Sequence, residues 1–374
     1  VENLSKMPNL RFPEFHEEWQ EYTLSDKCQI NPRSTNLPNT FVYIDLESVV
    51  NGILLKEERI FKSDSPSRAQ RLLKQNDILF QMVRPYQKNN LFFDKKGNYV
   101  ASTGYAQIRT EENPQFIFQY LHNQNFVNNV IEKCTGTSYP SINSTDLSNI
   151  HLHIPTIKEQ QKIADFLSLI DARSQLSKKI IEGLTSFKSA VSKKIFSQEL
   201  RFSSLDIKWE KVKLKEVCEK QSSNISANKI EDNFGDYLIY GASGKLKTVD
   251  FYEVEDDYIS VVKDGAGVGR LLYCKGKSSV LGTLDIIKPK NGINPYFLYC
   301  LLLNIDFGKY ITGSTIPHIY FKDYSNEIIE MPLIEEQIII ANFLSCIDQK
   351  VNLEIALLQQ LKSQKQYLLQ QLFI

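Results

Sequence analysis

The sequence is short of the features that mark several protein classes. Its 44 basic and 44 acidic side chains leave no net charge. This balance excludes a uniformly basic coat for nucleic acid, because non-specific phosphate binding scales with the number of cations presented. No apolar run reaches the roughly 18 to 20 residues needed to span a bilayer, and the N-terminal residues contain no apolar signal core. We therefore expect a cytoplasmic protein without a membrane partner, whose nucleic-acid site, if any, is a local patch.

Cysteine is present without the spacing that metals or disulfides need. The six cysteines stand at positions 28, 134, 218, 274, 300 and 346. This spacing lacks the paired ligands of a structural zinc site and the density of a disulfide framework. His151 and His153 alternate along a predicted strand with no third ligand nearby. We expect free, mostly packed thiols and no bound metal.

Motifs for catalysis or cofactor binding are also incomplete. Gly265–Gly269 lacks the full dinucleotide fingerprint and precedes a strand-like segment where a helix is required. Gly241–Lys245 has the wrong glycine spacing for a phosphate loop and predicts a hairpin turn. Asn294–Phe297 resembles the active-site tetrapeptide of enzymes that methylate amino groups, but it lacks the second proline of that motif. Like Asn113-Pro114, it predicts a helix start. No Ser/His/Asp or Cys/His set recurs in both halves, so we expect no catalytic centre.

The sequence does contain a long internal repeat. Residues 155–171 and 332–348 are 177 residues apart and share eleven of seventeen positions. A second register, 190 residues apart, matches 10–28 to 200–218 and pairs Arg11 and Trp19 with Arg201 and Trp209. Similarity nearly vanishes between these anchors, where the first half carries 13 more residues. A period this long indicates two copies of a whole domain.

Each repeated block opens a long helix. Pro155 and Pro332 suit a helix entry, and no proline follows for about forty residues. Apolar residues then recur at the 4–3 spacing of a coiled-coil seam, interrupted by polar residues that include Lys188 and Lys365. A helix of 40 residues is about 60 Å long at 1.5 Å per residue. That exceeds what a compact domain of this size needs, so the pattern predicts spacers.

The segments between the repeated blocks have the pattern of an α+β domain. Residues 77–110 and 237–289 are short apolar runs punctuated by Gly, Lys and Asp, which is typical of strands and turns. A helical stretch follows at Pro114 or Pro295, and then a glycine-containing loop. Each variable unit is therefore predicted to have its strands first and its helix second.

At this point the residues carry a family resemblance. The paired P-x-I-x-E-Q-x-x-I-A-x-F-L-S-x-I-D blocks, with G-x-x-x-P-x-I elements at 136–142 and 313–319, resemble the specificity subunit of type I restriction-modification systems. The resemblance covers essentially the whole chain. It implies an α+β fold in which two duplicated target recognition domains, 1–154 and 200–331, are separated by two long antiparallel coiled-coil helices. The central spacer helix occupies 155–199 and the distal one 332–374.

The resemblance also implies a function and a set of partners. Each recognition domain is expected to read one half of a split sequence in double-stranded DNA. Chemistry is expected from two modification (methyltransferase) subunits with S-adenosylmethionine, and from restriction (translocase and nuclease) subunits with ATP and magnesium. No cofactor is expected in this chain. The repeated blocks are expected to dock the partners through Glu159, Gln160, Phe166, Glu336, Gln337 and Phe343.

Candidate base contacts lie in two loops of each variable segment. Arginine can fork onto guanine, glutamine onto adenine, and lysine can hold phosphate or guanine. For any single loop residue, a solvated charge or a turn role is an equal alternative. For the loops bracketed by Gly and Pro, a turn of the fold is favoured over base contact. The candidates are Arg84, Tyr86, Gln87, Lys88, Tyr105, Thr137, Ser138, Tyr139, Lys263, Arg270, Ser314, Thr315 and His318.

Two other functions compete with this interpretation. A fused methyltransferase or nuclease requires an S-adenosylmethionine pocket or a cluster of metal-binding carboxylates, and the sequence offers neither motif. A non-DNA scaffold of duplicated domains on a coiled coil is compatible with the repeated helix blocks alone. A salt-dependent gel shift in the presence of a modification subunit separates the three possibilities.

Overall fold

The structure, a computed structural model, describes residues 7–34, 36–202 and 207–374. The chain divides into two compact units. Unit 1 contains the chain up to residue 178 together with residues 356–374, and unit 2 contains residues 179–355. Each unit therefore combines one variable segment with parts of both long helices, so that the unit boundaries differ from those of the two sequence halves.

Unit 1 has twelve strands among its described residues. Its α-helices are α1 (Leu24–Lys27), α2 (Pro114–Tyr120), α3 (Gln124–Glu132), α4 (Ser144–Ser148) and the first part of α5 (Ile157–Phe196). Its strands are β1 (Gln20–Thr23), β2 (Cys28–Ile30), β3 (Thr40–Ile44), β4 (Val49–Val50), β5 (Ile53–Leu54), β6 (Arg59–Phe61), β7 (Ala69–Leu72), β8 (Asp77–Gln81), β9 (Leu91–Phe93), β10 (Tyr99–Ser102), β11 (Tyr105–Thr110) and β12 (His151–Ile154).

Unit 2 is built in the same way. Its α-helices are α6 (Leu214–Val217), α7 (Pro295–Leu302), α8 (Phe321–Tyr324) and the first part of α9 (Ile334–Gln371). Its strands are β13 (Glu210–Lys213), β14 (Cys218–Ser222), β15 (Tyr237–Gly241), β16 (Gly244–Val249), β17 (Tyr258–Val262), β18 (Leu271–Cys274), β19 (Ser278–Val280), β20 (Leu284–Pro289) and β21 (Ile328–Met331).

The two units share a sheet topology although their sequences do not match there. The main sheet has the strand order β2-β11-β8-β9 in unit 1 and β14-β20-β17-β18 in unit 2. A second sheet pairs β3 with β10, and β15 with β19, in parallel. Apolar residues dominate the central strands β8 and β17, where every residue is buried. The predicted α+β duplication is confirmed.

An insertion accounts for much of the extra length of the first variable segment. In unit 2 the hairpin of β15 and β16 turns through residues 242 and 243 only, as the GASGK pattern predicted. In unit 1 residues 45–58 separate β3 from β6 and form the small β4-β5 hairpin. Gly52 has a positive φ of 73° at this turn, a backbone conformation that glycine adopts without strain.

Asparagine and proline begin the two predicted helices. The Asn113 side chain accepts a hydrogen bond from the N–H of Phe116 at the start of α2. The Asn294 side chain accepts from the N–H groups of Tyr296 and Phe297 at the start of α7. Proline follows directly, where its missing N–H costs nothing. The first stretch is two helices rather than one, because a second asparagine cap at position 123 opens α3.

Each unit buries a repeated tryptophan at its centre. Trp19 is fully buried in unit 1, where its ring packs edge-on to Phe373 at the end of the chain, 6.3 Å between centroids. Trp209 in unit 2 packs edge-on to Phe196, the last residue of α5, also at 6.3 Å. The distal end of one long helix therefore completes the core of each unit.

The two long helices contact each other in each unit. In unit 1 the ammonium of Lys365 on α9 lies 2.6 Å from Asp171 on α5. In unit 2 the ammonium of Lys188 on α5 lies 2.6 Å from Asp348 on α9. Residue numbers rise along one helix as they fall along the other, so the pairing is antiparallel as predicted.

Residues 7–34, 36–202 and 207–374 contain neither a cluster of metal ligands nor a helix that could span a membrane. Within those ranges no cluster of three His, Cys, Asp or Glu side chains could hold a metal ion. None of the helices there has the length and apolar character of a membrane span. All six cysteines are free, and those at 28, 218, 274 and 300 are buried.

Candidate nucleic-acid interface

The segment between β8 and β9 in unit 1 contains a tight turn, which carries the first group of predicted readers. Arg84 and Lys88 both adopt left-handed backbone conformations, with φ of 53° and 52°. They flank a single 3-10 turn, Pro85–Gln87. Residues other than glycine are uncommon at positive φ, and here the N–H of Gln87 donates to the carbonyl of Arg84 at 3.0 Å. Tyr86 and Gln87 are exposed on this turn.

The glycine-containing loop before α4 docks onto this turn through main-chain atoms. The N–H of Arg84 donates to the carbonyl of Pro140 at 2.7 Å, and the N–H of Ile142 donates to the carbonyl of Met82 at 3.1 Å. The Arg84 guanidinium lies 4.2 Å from the ring centroid of Tyr139, a cation–π contact. The two groups of candidates therefore form one surface. Its remaining exposed members are Thr137 and Ser138.

Unit 2 repeats this docking with different side chains. The N–H of Gly265 donates to the carbonyl of Pro317 at 3.0 Å, and the N–H of Ile319 donates to the carbonyl of Lys263 at 2.9 Å. Gly265 has a φ of 84°, so it occupies the left-handed position that Arg84 occupies in unit 1. The GAGVG pattern thus supplies a turn between two strands, as its sequence context predicted.

The two predicted cations of unit 2 have different surroundings. Lys263 lies 3.4 Å from the buried carboxylate of Asp285, which partly neutralises it. Arg270 is exposed, and one of its terminal nitrogens donates to the carbonyl of Ala242 at 2.9 Å. Arg270 therefore lies where the β15-β16 hairpin meets the turn between β17 and β18. Its guanidinium has further hydrogen-bond donors that are available to a ligand.

At the position of unit 2 that corresponds to Tyr139, the glycine-containing loop carries an aliphatic side chain instead. Ile316 is 64% exposed. His318 is half-buried and its ring packs against Tyr320, 5.0 Å between centroids. Ser314 and Thr315 are exposed beside it. The predicted residues of this loop are thus accessible, and they differ in chemistry from those of unit 1.

Comparisons with known proteins identify the family. The sequence profile described as "Type I restriction modification DNA specificity domain" matches residues 16–186 and 206–363. Each match covers one variable segment and much of the long helix that follows it. This chain belongs to the type I restriction-modification DNA specificity family.

Individual relatives agree with this membership. The HindI specificity subunit of Haemophilus influenzae is 31% identical over 189 residues, which are 48% of this chain and 41% of that relative. The MjaVIII specificity subunit of Methanocaldococcus jannaschii is 25% identical over 404 aligned positions, 94% of this chain and 91% of the relative. The crystal structure of an S subunit from M. genitalium has the same fold, with a TM-score of 0.71 at 18% identity over 98% of this chain and 99% of that one.

Two of the predicted readers in this specificity-family chain make contacts inside their own unit. Tyr105 is fully buried in β11, and burial raises the pKa of its phenol. Lys88 is half-buried, and its ammonium donates to the carbonyl of His122 at 3.0 Å and to the side chain of Gln124 at 2.9 Å. Desolvation lowers the pKa of Lys88. Tyr105 is therefore a core residue, contrary to the sequence-based prediction, whereas Lys88 anchors the turn and stays a predicted DNA contact.

The glutamates predicted to dock partners are inside the protein. Glu159 is completely buried and accepts two hydrogen bonds from Arg11, both at 2.7 Å, and one from the indole of Trp19 at 3.2 Å. Glu336 accepts the same three bonds from Arg201 and from the indole of Trp209. The prediction is corrected: these carboxylates tie the start of each long helix to the repeated Arg and Trp.

The neighbouring glutamines have an equally internal role. Gln160 accepts from the N–H of Asn113 at 3.1 Å and donates to the carbonyl of Pro155 at 3.0 Å. Gln337 makes the matching contacts in unit 2, to the N–H of residue 294 and the carbonyl of residue 332, both at 3.0 Å. Each glutamine therefore fixes the cap of α2 or α7 against the start of a long helix, instead of facing a partner.

The repeated phenylalanines are half-buried against aromatic neighbours in their own unit. Phe166 packs edge-on to Phe12, 5.8 Å between centroids, and Phe343 packs on Phe202 at 5.2 Å. By contrast, every fully exposed pair in the two blocks differs in residue type, as at Leu169 and Cys346. The identity of the blocks therefore follows from shared internal packing. A sequence signal for this internal role exists, because Arg, Trp and Glu recur together in both halves.

Proposed function

We propose that this chain reads DNA for a type I restriction-modification assembly, with one half of a bipartite site read by each unit. The observation that carries the proposal is the duplicated reading surface. Each unit offers a β-turn loop and a glycine-containing loop joined by two main-chain hydrogen bonds, and each fills this arrangement with different exposed side chains. Two equivalent surfaces of different chemistry suit two half-sites of different sequence.

The chemistry of the surfaces favours DNA over a protein ligand. Unit 1 presents Arg84 stacked on Tyr139, and unit 2 presents Arg270, which donates a hydrogen bond to the main-chain carbonyl of Ala242 in the β15-β16 hairpin. Arginine supplies bidentate donors for guanine edges and for phosphate. The chain has no net charge, so cations gathered in these loops account for affinity without a basic coat.

We assign methylation and cleavage to separate subunits. The two modification subunits bring S-adenosylmethionine, and the restriction subunits bring ATP and magnesium. The incomplete catalytic motifs of this sequence support that division, as does its membership of a specificity family. The duplicated units offer two equivalent places for the modification subunits. Their contacts fall on exposed residues near the repeated blocks, since the identical residues there are mostly internal.

The test uses the chain assembled with its modification subunits. The complex is incubated with duplex DNA that carries a randomised segment, and bound molecules are sequenced. We expect enrichment of two short blocks separated by an unread gap of fixed length, with affinity that falls steeply as salt rises. A single contiguous block would remove the two-reader arrangement. An absence of any enriched sequence would leave the scaffold as the better description.

A further inference from the structure

Two amide side chains, those of Gln81 and Gln87, are hydrogen-bonded to each other at the Pro85–Gln87 turn of unit 1, and the main-chain N–H of Asn89 also contacts the first of them. Gln81 is the last residue of β8 and is only 4% exposed. Its side chain contacts the exposed Gln87 of the turn and the backbone of Asn89. Strand register pairs Gln81 with Tyr105, and the corresponding pair in unit 2 is Val262 with Leu284. Unit 2 thus has valine where unit 1 has this buried amide.

Main-chain groups fix the position of Asn89 and the orientation of the Gln81 amide. The Asn89 side chain accepts from the N–H of Gly52 at 3.2 Å and donates to the carbonyl of Val49 at 2.6 Å. The N–H of Asn89 in turn donates to Oε1 of Gln81 at 3.2 Å. A main-chain N–H can only donate, so the oxygen of Gln81 must face it. The NH2 group of Gln81 therefore points the other way.

The orientation of the Gln81 amide determines that of the Gln87 amide. The NH2 group of Gln81 donates to Oε1 of Gln87 at 2.9 Å. The oxygen of the Gln87 amide is thereby turned toward the protein, and its NH2 group faces away from it. Gln87 thus offers donors to a ligand, while the acceptor that it would need for a bidentate contact is already engaged.

The consequence for base reading is specific. In the major groove, adenine presents a donor beside an acceptor, and a glutamine binds both only if its oxygen is free. Guanine presents two adjacent acceptors, N7 and O6. An outward NH2 group can donate to both acceptors of guanine, but on adenine it meets only one acceptor, N7, and faces the N6 amino group donor to donor.

We propose that Gln81 is a positioning residue that presents Gln87 as a donor, so that this reader takes guanine instead of the adenine expected from its residue type. The proposal rests on the DNA-reading function proposed above. Gln81 acts through Gln87 and does not itself reach a base.

The turn keeps Gln87 in this arrangement. Lys88, directly after it, is in the left-handed conformation and is anchored through its ammonium to His122 and Gln124. The main-chain N–H of Gln81 donates to the side chain of Asn90 at 2.9 Å. Gln81 and the residue next to Gln87 are therefore both held to the rest of unit 1, so that the orientation of the Gln87 amide is fixed before DNA binds.

The test compares enriched sequences for four forms of the chain in complex with modification subunits, using the randomised duplex library. Gln87→Ala first identifies the position that this residue reads, as the one whose preference is lost. We expect guanine there in the wild type. In Gln81→Glu the carboxylate still accepts from the N–H of Asn89, and its second oxygen accepts from the NH2 group of Gln87. The Gln87 amide then turns over and offers its oxygen, so the preference moves to adenine or cytosine, whose amino groups donate.

Gln81→Met serves as the uncharged control. It removes the fixing hydrogen bond and keeps the side-chain length, so the Gln87 amide can rotate and discrimination at that position should fall by about tenfold or more. Adenine at the Gln87-dependent position of the wild type, an unchanged preference in Gln81→Met, or no effect of Gln87→Ala would each overturn the proposal. The half-site read by unit 2 reports separately on the proposed function, since it should stay enriched in all four forms.

Discussion

Asp171 on α5 accepts two hydrogen bonds from the ammonium of Lys365 on α9, at 2.6 and 2.9 Å. The same ion pair recurs in unit 2 between Asp348 and Lys188, with the helices exchanging roles. The two aspartates are 177 residues apart, and so are the two lysines. The lysines that interrupt the apolar seams therefore neutralise repeated carboxylates, and the sequence repeat is also a repeat of tertiary contacts.

The Asp171–Lys365 pair should contribute measurably to the stability of unit 1. Both side chains are partly shielded, at 31% and 21% exposure, so Lys365→Ala should lower the free energy of unfolding by about 1 kcal/mol. Urea titration measures this, with the exposed Lys362→Ala as the matched control, for which we expect a negligible change. An equal cost of Lys365→Ala in an Asp171→Ala background would show that the two groups are not coupled.

Loss of Arg11 should be much more damaging. Its partner Glu159 has no exposed side-chain surface, so Arg11→Ala leaves a buried carboxylate without its counterion. We expect a loss of about 3 to 5 kcal/mol in the free energy of unfolding. Arg33→Ala removes an exposed arginine nearby in sequence and should change it by less than about 0.5 kcal/mol. Similar costs for both variants would rule out a structural role for the Arg11–Glu159 pair.

His122 should make stability depend on pH. Burial, reinforced by the positive charge of Lys365, lowers the pKa of His122 to about 4, whereas an unfolded histidine has a pKa of about 6.5. As pH falls through this window the unfolded chain binds a proton that the folded chain does not. Folding stability therefore falls between about pH 6.5 and pH 4.

The variant His122→Gln isolates this effect. Its free energy of unfolding should decline less than that of the wild type over the same window, because it has no proton to gain at that position. Identical slopes for the wild type and His122→Gln would assign the acid sensitivity to other groups.

Arg84 should control one half of the recognised sequence. Arg84→Ala removes both the guanidinium and its stacking on Tyr139, 4.2 Å away. A bidentate arginine–guanine contact contributes roughly 1–3 kcal/mol of discrimination, so one position in the unit 1 half-site should become relaxed while the unit 2 half-site is unchanged. Sequencing of methylated DNA from cells with the complete system measures both halves. A uniform loss of methylation over all sites would instead assign Arg84 to phosphate binding.

Much of the fold could be predicted because it depends on local signals. Proline and asparagine mark the starts of α2 and α7, and the apolar 4–3 pattern predicts two helices that the structure gives as Ile157–Phe196 and Ile334–Gln371. The reading loops were predicted from turn residues and cations. Their contact through Arg84 and Tyr139 was not, because the two residues are far apart in sequence and only the β8-β9 turn brings them together.

The internal role of the repeated blocks could not be predicted in the same way. A glutamate in the first turn of a helix is normally solvated, so Glu159 suggested a partner-facing residue. Its burial follows from Arg11, which lies 148 residues earlier. The buried Gln81 carried no sequence signal at all, since a polar residue at the end of a strand ordinarily faces solvent. Long-range pairing between polar side chains decides both cases.

Main-chain hydrogen bonds join the two predicted reading loops within each unit, at Arg84 and Pro140 in unit 1 and at Gly265 and Pro317 in unit 2. Bonds of this kind do not depend on which side chains the loops carry. Substitutions at exposed loop positions should therefore cost little folding free energy, whereas loss of the buried Arg–Glu contacts at the helix starts should cost several kcal/mol. Under the proposed function, specificity can then change by single substitutions that leave each unit stable, so that the same architecture is evolvable toward many target sequences.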